Sequence, residues 1–150
     1  VEYVVVGMLA ATLHGSPLRT GDAEICPSTD AANLERLALA LTEMDPRVRG
    51  LVDPLDPAGE TPFPCDAARL AEVRGSLLLS TRYGDLDIVF RPDGTGGFED
   101  LIPNVVRYDL GEGLLVPVAS LEDIIRSKTA AGRPKDLEVL PTLRALLRNR

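Results

Sequence analysis

The chain has 150 residues, 45% apolar and 26% charged, the size and balance of one globular domain with a real core. A net charge of −7 argues against broad electrostatic binding of nucleic acid, and 4% aromatic content without Trp argues against a base-stacking platform. No apolar run approaches the roughly 20 residues of a membrane span; Cys26 and Cys65 lack metal-ligand spacing and, without a secretory signal, are expected as reduced thiols of a cytoplasmic protein.

The first stretch reads as strand, glycine turn, short helix, loop and second strand. Val4, Val5 and Val6 are β-branched and apolar, as a buried strand requires. Gly7 ends that strand at a sharp turn, residues 8–14 suit a helix, and Gly15 stops it. The loop 16–21 then delivers Asp22 and Glu24. On a strand they share one face, with Ala23 and Ile25 on the other. Neighbouring carboxylates raise each other's pKa. A hard divalent cation relieves that repulsion, because Mg²⁺ takes oxygen ligands from one or two carboxylates plus substrate phosphates. A nearby glycine turn lets backbone N–H groups approach a phosphate. The pair thus points to metal-assisted phosphate chemistry; the competing reading is two solvated residues on an edge strand.

Pro27 and Ser28 make a turn, and Thr29 or Asp30 caps a helix over 31–44 whose stripe is Leu34, Leu37, Ala38 and Leu41. Asp45-Pro46 ends it, and residues 47–65, rich in Pro, Gly and Asp, read as a long loop across the sheet. A helical turn is expected within 65–73. Residues 76–82 and 85–90 flank Tyr83-Gly84 as a hairpin. Asp85, Asp87 and Val89 fall on one face of its second strand. Asp87 stands between Leu86 and Ile88, where a carboxylate is costly unless paired or metal-bound, whereas Asp85 lies at the turn and reads as solvated.

The run 92–97 lacks the Lys-Ser/Thr of a phosphate loop and reads as a flexible linker. A short helix over 98–101 and strands over 104–110 and 114–118 follow, joined by Gly111-Glu112-Gly113. Ser120 caps a helix that stops near Gly132, with Asp123 completing a capping box. Pro134 starts the last helix, which turns Leu137, Leu140, Leu143 and Leu147 inward; Arg144, Arg148 and Arg150 are cations at its C-terminal end. Lys128 is placed to contact a phosphate, with Asp136 as a candidate partner; the alternative is a surface salt bridge of little worth. His14 is either a general base or, more simply, a helix-end histidine bonding the last carbonyls.

Val6-Gly7-Met8, Asp22-Ala23-Glu24-Ile25 and Leu86-Asp87-Ile88, with His14-Gly15 and Arg19-Thr20 before the acid pair, form a recognisable series. It resembles the polymerase-beta-type nucleotidyltransferase superfamily: hydrophobic-Gly-Gly/Ser, a short helix, two acids alternating with hydrophobics, and a later third acid. Ser120-Leu121-Glu122-Asp123-Ile124-Ile125, Lys128 and Gly132-Arg133-Pro134-Lys135-Asp136 are similar to segments of small bacterial nucleotidyltransferases related to abortive-infection toxins. The likeness spans nearly the whole chain. It implies an α/β (α+β) fold, a mixed β-sheet flanked by helices, in one domain with its core over about 1–118 and C-terminal helices over about 120–150. It implies Asp22, Glu24 and Asp87 as catalytic carboxylates that hold Mg²⁺ or Mn²⁺. Gly7, Met8, Thr20 and Lys128 are then the residues at a bound NTP such as ATP.

The implied activity moves an NMP from the NTP to an RNA hydroxyl, tRNA included, or to a protein hydroxyl. The enzyme would be the toxin of a toxin–antitoxin pair, with an antitoxin protein as partner and no membrane. Two alternatives stand beside it: transfer to a small molecule, mildly favoured by the acidic charge, and a binding module that keeps the fold without turnover. Met8 favours the last, because it stands where the superfamily has Gly or Ser against the phosphates. Glu24 stands for the usual Asp and moves its carboxylate outward on a longer stem.

Overall fold

The computed structural model describes residues 1–49 and 62–149. The valine run forms strand β1 (Tyr3–Val5), and the chain turns at once into helix α1 (Gly7–Leu13). Gly7 makes that turn possible with φ +64, a conformation glycine adopts at little cost. Strand β2 (Asp22–Pro27) returns antiparallel to β1, with Val5 opposite Ile25. Asp30 caps helix α2 (Ala31–Glu43) by accepting from the N–H groups of Ala32 and Asn33. The expected stripe Leu34, Leu37, Ala38 and Leu41 is buried.

A two-residue strand β3 (Arg47–Val48) stands where the sequence suggested only loop. It pairs antiparallel with β4, Val48 opposite Leu79, so pairing with the sheet edge overrides the local turn-rich composition. Residues 50–61 of the long loop lie outside the described residues. Helix α3 (Ala67–Glu72) is capped by Asp66. Strands β4 (Ser76–Thr81) and β5 (Gly84–Val89) form the expected hairpin. Helix α4 (Phe98–Leu101) runs into a 3-10 turn over Ile102–Asn104, which shortens the next strand, β6, to Val106–Asp109. Strand β7 (Leu115–Val118) leads to helices α5 (Leu121–Ala131) and α6 (Pro134–Arg148). Gly132, at φ +62, ends α5 in the left-handed conformation that suits glycine.

The strands form one mixed seven-stranded sheet in the order β3-β4-β5-β2-β1-β7-β6. β2 runs parallel to β5 and β1 parallel to β7; the other pairs are antiparallel. The fold is therefore α/β in the mixed, α+β sense, with helices flanking the sheet. Two apolar cores lie along it. One joins β1 and β7 to α1, α5 and α6 through Val4, Val118, Leu121 and Leu143. The other joins β4 and β5 to α2 and α3 through Leu41, Leu70, Leu79 and Ile88. Each such fully buried side chain is worth about 2 kcal/mol. Ile25 of β2 touches both cores, so the acid-bearing strand is the seam between them.

Two local expectations change. Leu137 is half exposed, because Asp136, one position earlier, takes the inward row of α6 with Leu140 and Leu143. The run 92–97 is not a linker: Thr95 is buried, donates to the Pro92 carbonyl at 2.7 Å and accepts from the Gly97 N–H. Among the described residues no helix is long and apolar enough to cross a membrane.

Candidate active site

Asp22 and Glu24 do not lie on an edge strand. β2 is interior to the sheet, and its parallel pairing with β5 sets Asp22 opposite Asp85 and Glu24 opposite Asp87. The period of two puts all four carboxylates on one face, on strands about 4.8 Å apart. Asp87 is buried, as its place between Leu86 and Ile88 led us to expect. Asp85 is not simply solvated: it accepts from Ser80 Oγ at 2.8 Å and pairs with Arg49 Nη1 at 3.1 Å.

Each acid of the expected triad has its own protein partner. Thr20 Oγ1 donates to Asp22 Oδ1. The Met8 N–H donates to Glu24 Oε2 at 3.2 Å. Arg49 Nη2 pairs with Asp87 Oδ1. The Glu24 carboxylate lies so close to Gly7 that a Cβ there would fall onto it. Glycine is required at that position for space as well as for φ.

Burial pushes the Glu24 carboxyl above its ordinary range; the Met8 N–H and Lys128 offset part of the rise, and Asp22 and Asp87 add to it. Burial also lifts Asp87, against the opposing pull of Arg49. Cys26, at the end of β2, is a buried thiol pushed up to about 12 and chemically inert there.

Gly7, Met8, Thr20, Asp22, Glu24, Asp87 and Lys128 all line one cleft of about 610 Å³. Its opposite wall comes from α5, α6 and the loop through Pro92, Asp93 and Thr95. Lys128 is not a surface residue: its side chain is 15% exposed and its Nζ donates to Asp136 Oδ1 at 2.9 Å. Asp136 is fully buried and also accepts from Arg133 Nε. Arg133 and Lys128 hold its carboxyl below the usual range despite its burial. Ser120 caps α5 as expected, but Asp123 turns its carboxylate to Ser120 Oγ and Arg126 instead of completing the box.

His14 stands apart. Its Nε2 lies 2.7 Å from the Ala119 carbonyl and its Nδ1 2.7 Å from the Tyr108 hydroxyl. It ties α1 to the β6–β7 hairpin rather than bonding the end of its own helix, and it does not line the acid cleft.

Among the described residues no group of three or more His, Cys, Asp or Glu is arranged to hold a metal ion. In chemistry, Asp22, Glu24 and Asp87 still suit a hard cation: all are oxygen donors, all are anionic when ionised, and Glu24 stands in register with Asp87 on the adjacent strand.

Sequence reasoning missed Arg49, which sits in turn-rich sequence with no motif around it. It also undervalued Asp85. The signal for Asp85 was present, because Asp85-Leu86-Asp87 repeats the acid-apolar-acid pattern of Asp22-Ala23-Glu24. What the described residues define is a mixed α/β domain with a carboxylate-lined cleft. No protein-family model and no curated protein matches the chain.

Proposed function

We propose that the protein is a metal-dependent nucleotidyltransferase of the polymerase-beta type, which its motifs resemble. In this reading it transfers an NMP from an NTP to an RNA or protein hydroxyl, as the toxin partner of an antitoxin. One observation carries the proposal: Glu24 stands in register with Asp87, and with Asp22 they line a cleft that also receives Lys128. A surface made only for solubility has no reason to set Glu24 beside the buried Asp87 on one strand face.

Asp22, Glu24 and Asp87 would hold Mg²⁺ or Mn²⁺, which when bound supplies charge neutralisation at the phosphates. The other tasks belong to the chain. Lys128, fixed by Asp136, offers its ammonium to a triphosphate on the side of the cleft facing Glu24. In the transfer, the acceptor oxygen bonds to the α-phosphorus, the bond to the bridging oxygen breaks, and pyrophosphate leaves. Asp87 takes the acceptor's proton.

A second reading, a nucleotidyltransferase-fold module without turnover, is favoured by a specific contact. The Met8 N–H, which would otherwise meet a phosphate, is bonded to Glu24. Calorimetric titration with each NTP plus Mn²⁺, beside Asp87→Asn, decides between them. Micromolar binding of one NTP, with its metal dependence lost in the variant, supports the transferase. Absence of NTP binding by the wild type overturns it in favour of the module.

A further inference from the structure

Arg49 belongs to none of the motifs above. Its backbone follows β3 and donates to the Leu78 carbonyl at 2.8 Å. Its side chain reaches past β4, where Nε donates to the Leu79 carbonyl at 3.2 Å, and arrives at β5. There the fork spans two carboxylates of one strand face, Nη1 on Asp85 and Nη2 on Asp87. The guanidinium is thus held by three acceptors, a rigid geometry that suits Arg and not Lys.

The contact has a chemical consequence. Asp87 is the carboxylate on which the guanidinium sits and which a divalent cation would also need, and two cations on one carboxylate repel. Asp85 supplies a second acceptor on the same strand, two residues nearer the hairpin turn and in register with Asp22.

We propose that Arg49 is the resident counter-cation of the acid cluster: it competes with the divalent cation for Asp87, sets the cluster's cation affinity, and retreats to Asp85 when the cation binds. Arg49 is then a positioning residue, and Asp85 is its second mooring rather than a further ligand. The proposal rests on reading Asp22, Glu24 and Asp87 as cation ligands, and its test separates the two.

The experiment titrates the full chain with Mn²⁺ alone, without nucleotide, as wild type, Arg49→Gln, Arg49→Lys and Asp87→Asn. Arg49→Gln is expected to bind Mn²⁺ about tenfold more tightly than wild type, since one competing positive charge is gone. Arg49→Lys keeps the charge but not the fork and is expected to fall between wild type and Arg49→Gln. Asp87→Asn loses the binding. A companion measurement needs no variant: arginine modification by phenylglyoxal, mapped to Arg49 by peptide mass, is slow without cation and accelerates when Mg²⁺ is added. If Arg49→Gln binds Mn²⁺ no more tightly than wild type while Asp87→Asn still loses it, the counter-cation proposal falls and the cation site stands. If neither wild type nor Arg49→Gln binds Mn²⁺ at millimolar concentration, both fall. Should Arg49→Gln fail to fold, an Arg49 modification rate unchanged by Mg²⁺ overturns the proposal.

Discussion

Two carboxylate centres face the same cleft and behave in opposite ways. At the α5–α6 junction, Asp136 is fully buried and receives two cations, Lys128 and Arg133. Its carboxyl is held below the ordinary range, so its charge is at rest. On β2 and β5, Asp22, Glu24, Asp85 and Asp87 stand in register, and Arg49 is the one cation that the described ion pairs bring to them. Glu24 and Asp87 are pushed above the ordinary range, so their charge is held at a cost. Charge burial alone therefore does not mark a functional site. What differs is the pairing: Asp136 is matched by two cations, whereas the four acids on β2 and β5 meet one among the described ion pairs.

The sharpest way to break this contrast is at Asp136. Asp136→Asn leaves Lys128 and Arg133 without their anion and is expected to cost about 3–5 kcal/mol in urea unfolding. Lys128→Met touches both centres: a loss of about 2 kcal/mol from its charged hydrogen bond, together with weaker NTP binding by calorimetry. An NTP affinity unchanged by that variant would confine Lys128 to architecture. Gly7→Ala forces a side chain at φ +64 and displaces the Glu24 carboxylate, for about 1–2 kcal/mol. Its signature is faster hydrogen exchange at the Met8 N–H.

Asp87→Asn should change stability least, within about 1 kcal/mol, because loss of the Arg49 pair is offset by relief of a buried, crowded charge. It should nevertheless abolish Mn²⁺ binding. A loss as large as that of Asp136→Asn would erase the distinction between the two centres.

The pH dependence separates them as well. Asp136 has a lowered folded pKa, so its contribution is present above the ordinary carboxylate value, about 4, and is lost as pH falls through the folded value. Glu24 and Asp87 have raised folded pKa values, so their contribution is full below about 4 and is lost as pH rises through the folded values. Melting temperatures from pH 3 to 7 should show Asp136→Asn flattening the acid limb and Asp87→Asn flattening the limb above it.

Local chemistry by itself determined a good deal. The valine run, the Gly7 turn and the apolar row Leu34, Leu37 and Leu41 specify β1, the entry to α1 and the buried face of α2 through backbone preference and periodicity. The alternation around Asp22, Glu24 and Asp87 determined which acids share a strand face, since that depends only on a period of two. Tertiary structure decided the rest. Strand order put β2 beside β5 and so made two sequence-distant acid pairs into one cluster. Edge pairing made a strand of Arg47–Val48 and carried Arg49 to Asp87. The packing of α5 on α6 buried Asp136, turned Leu137 outward and fixed Lys128. Such contacts join residues from 8 to 63 positions apart in the chain, and no local preference encodes which distant partner a charged side chain will meet.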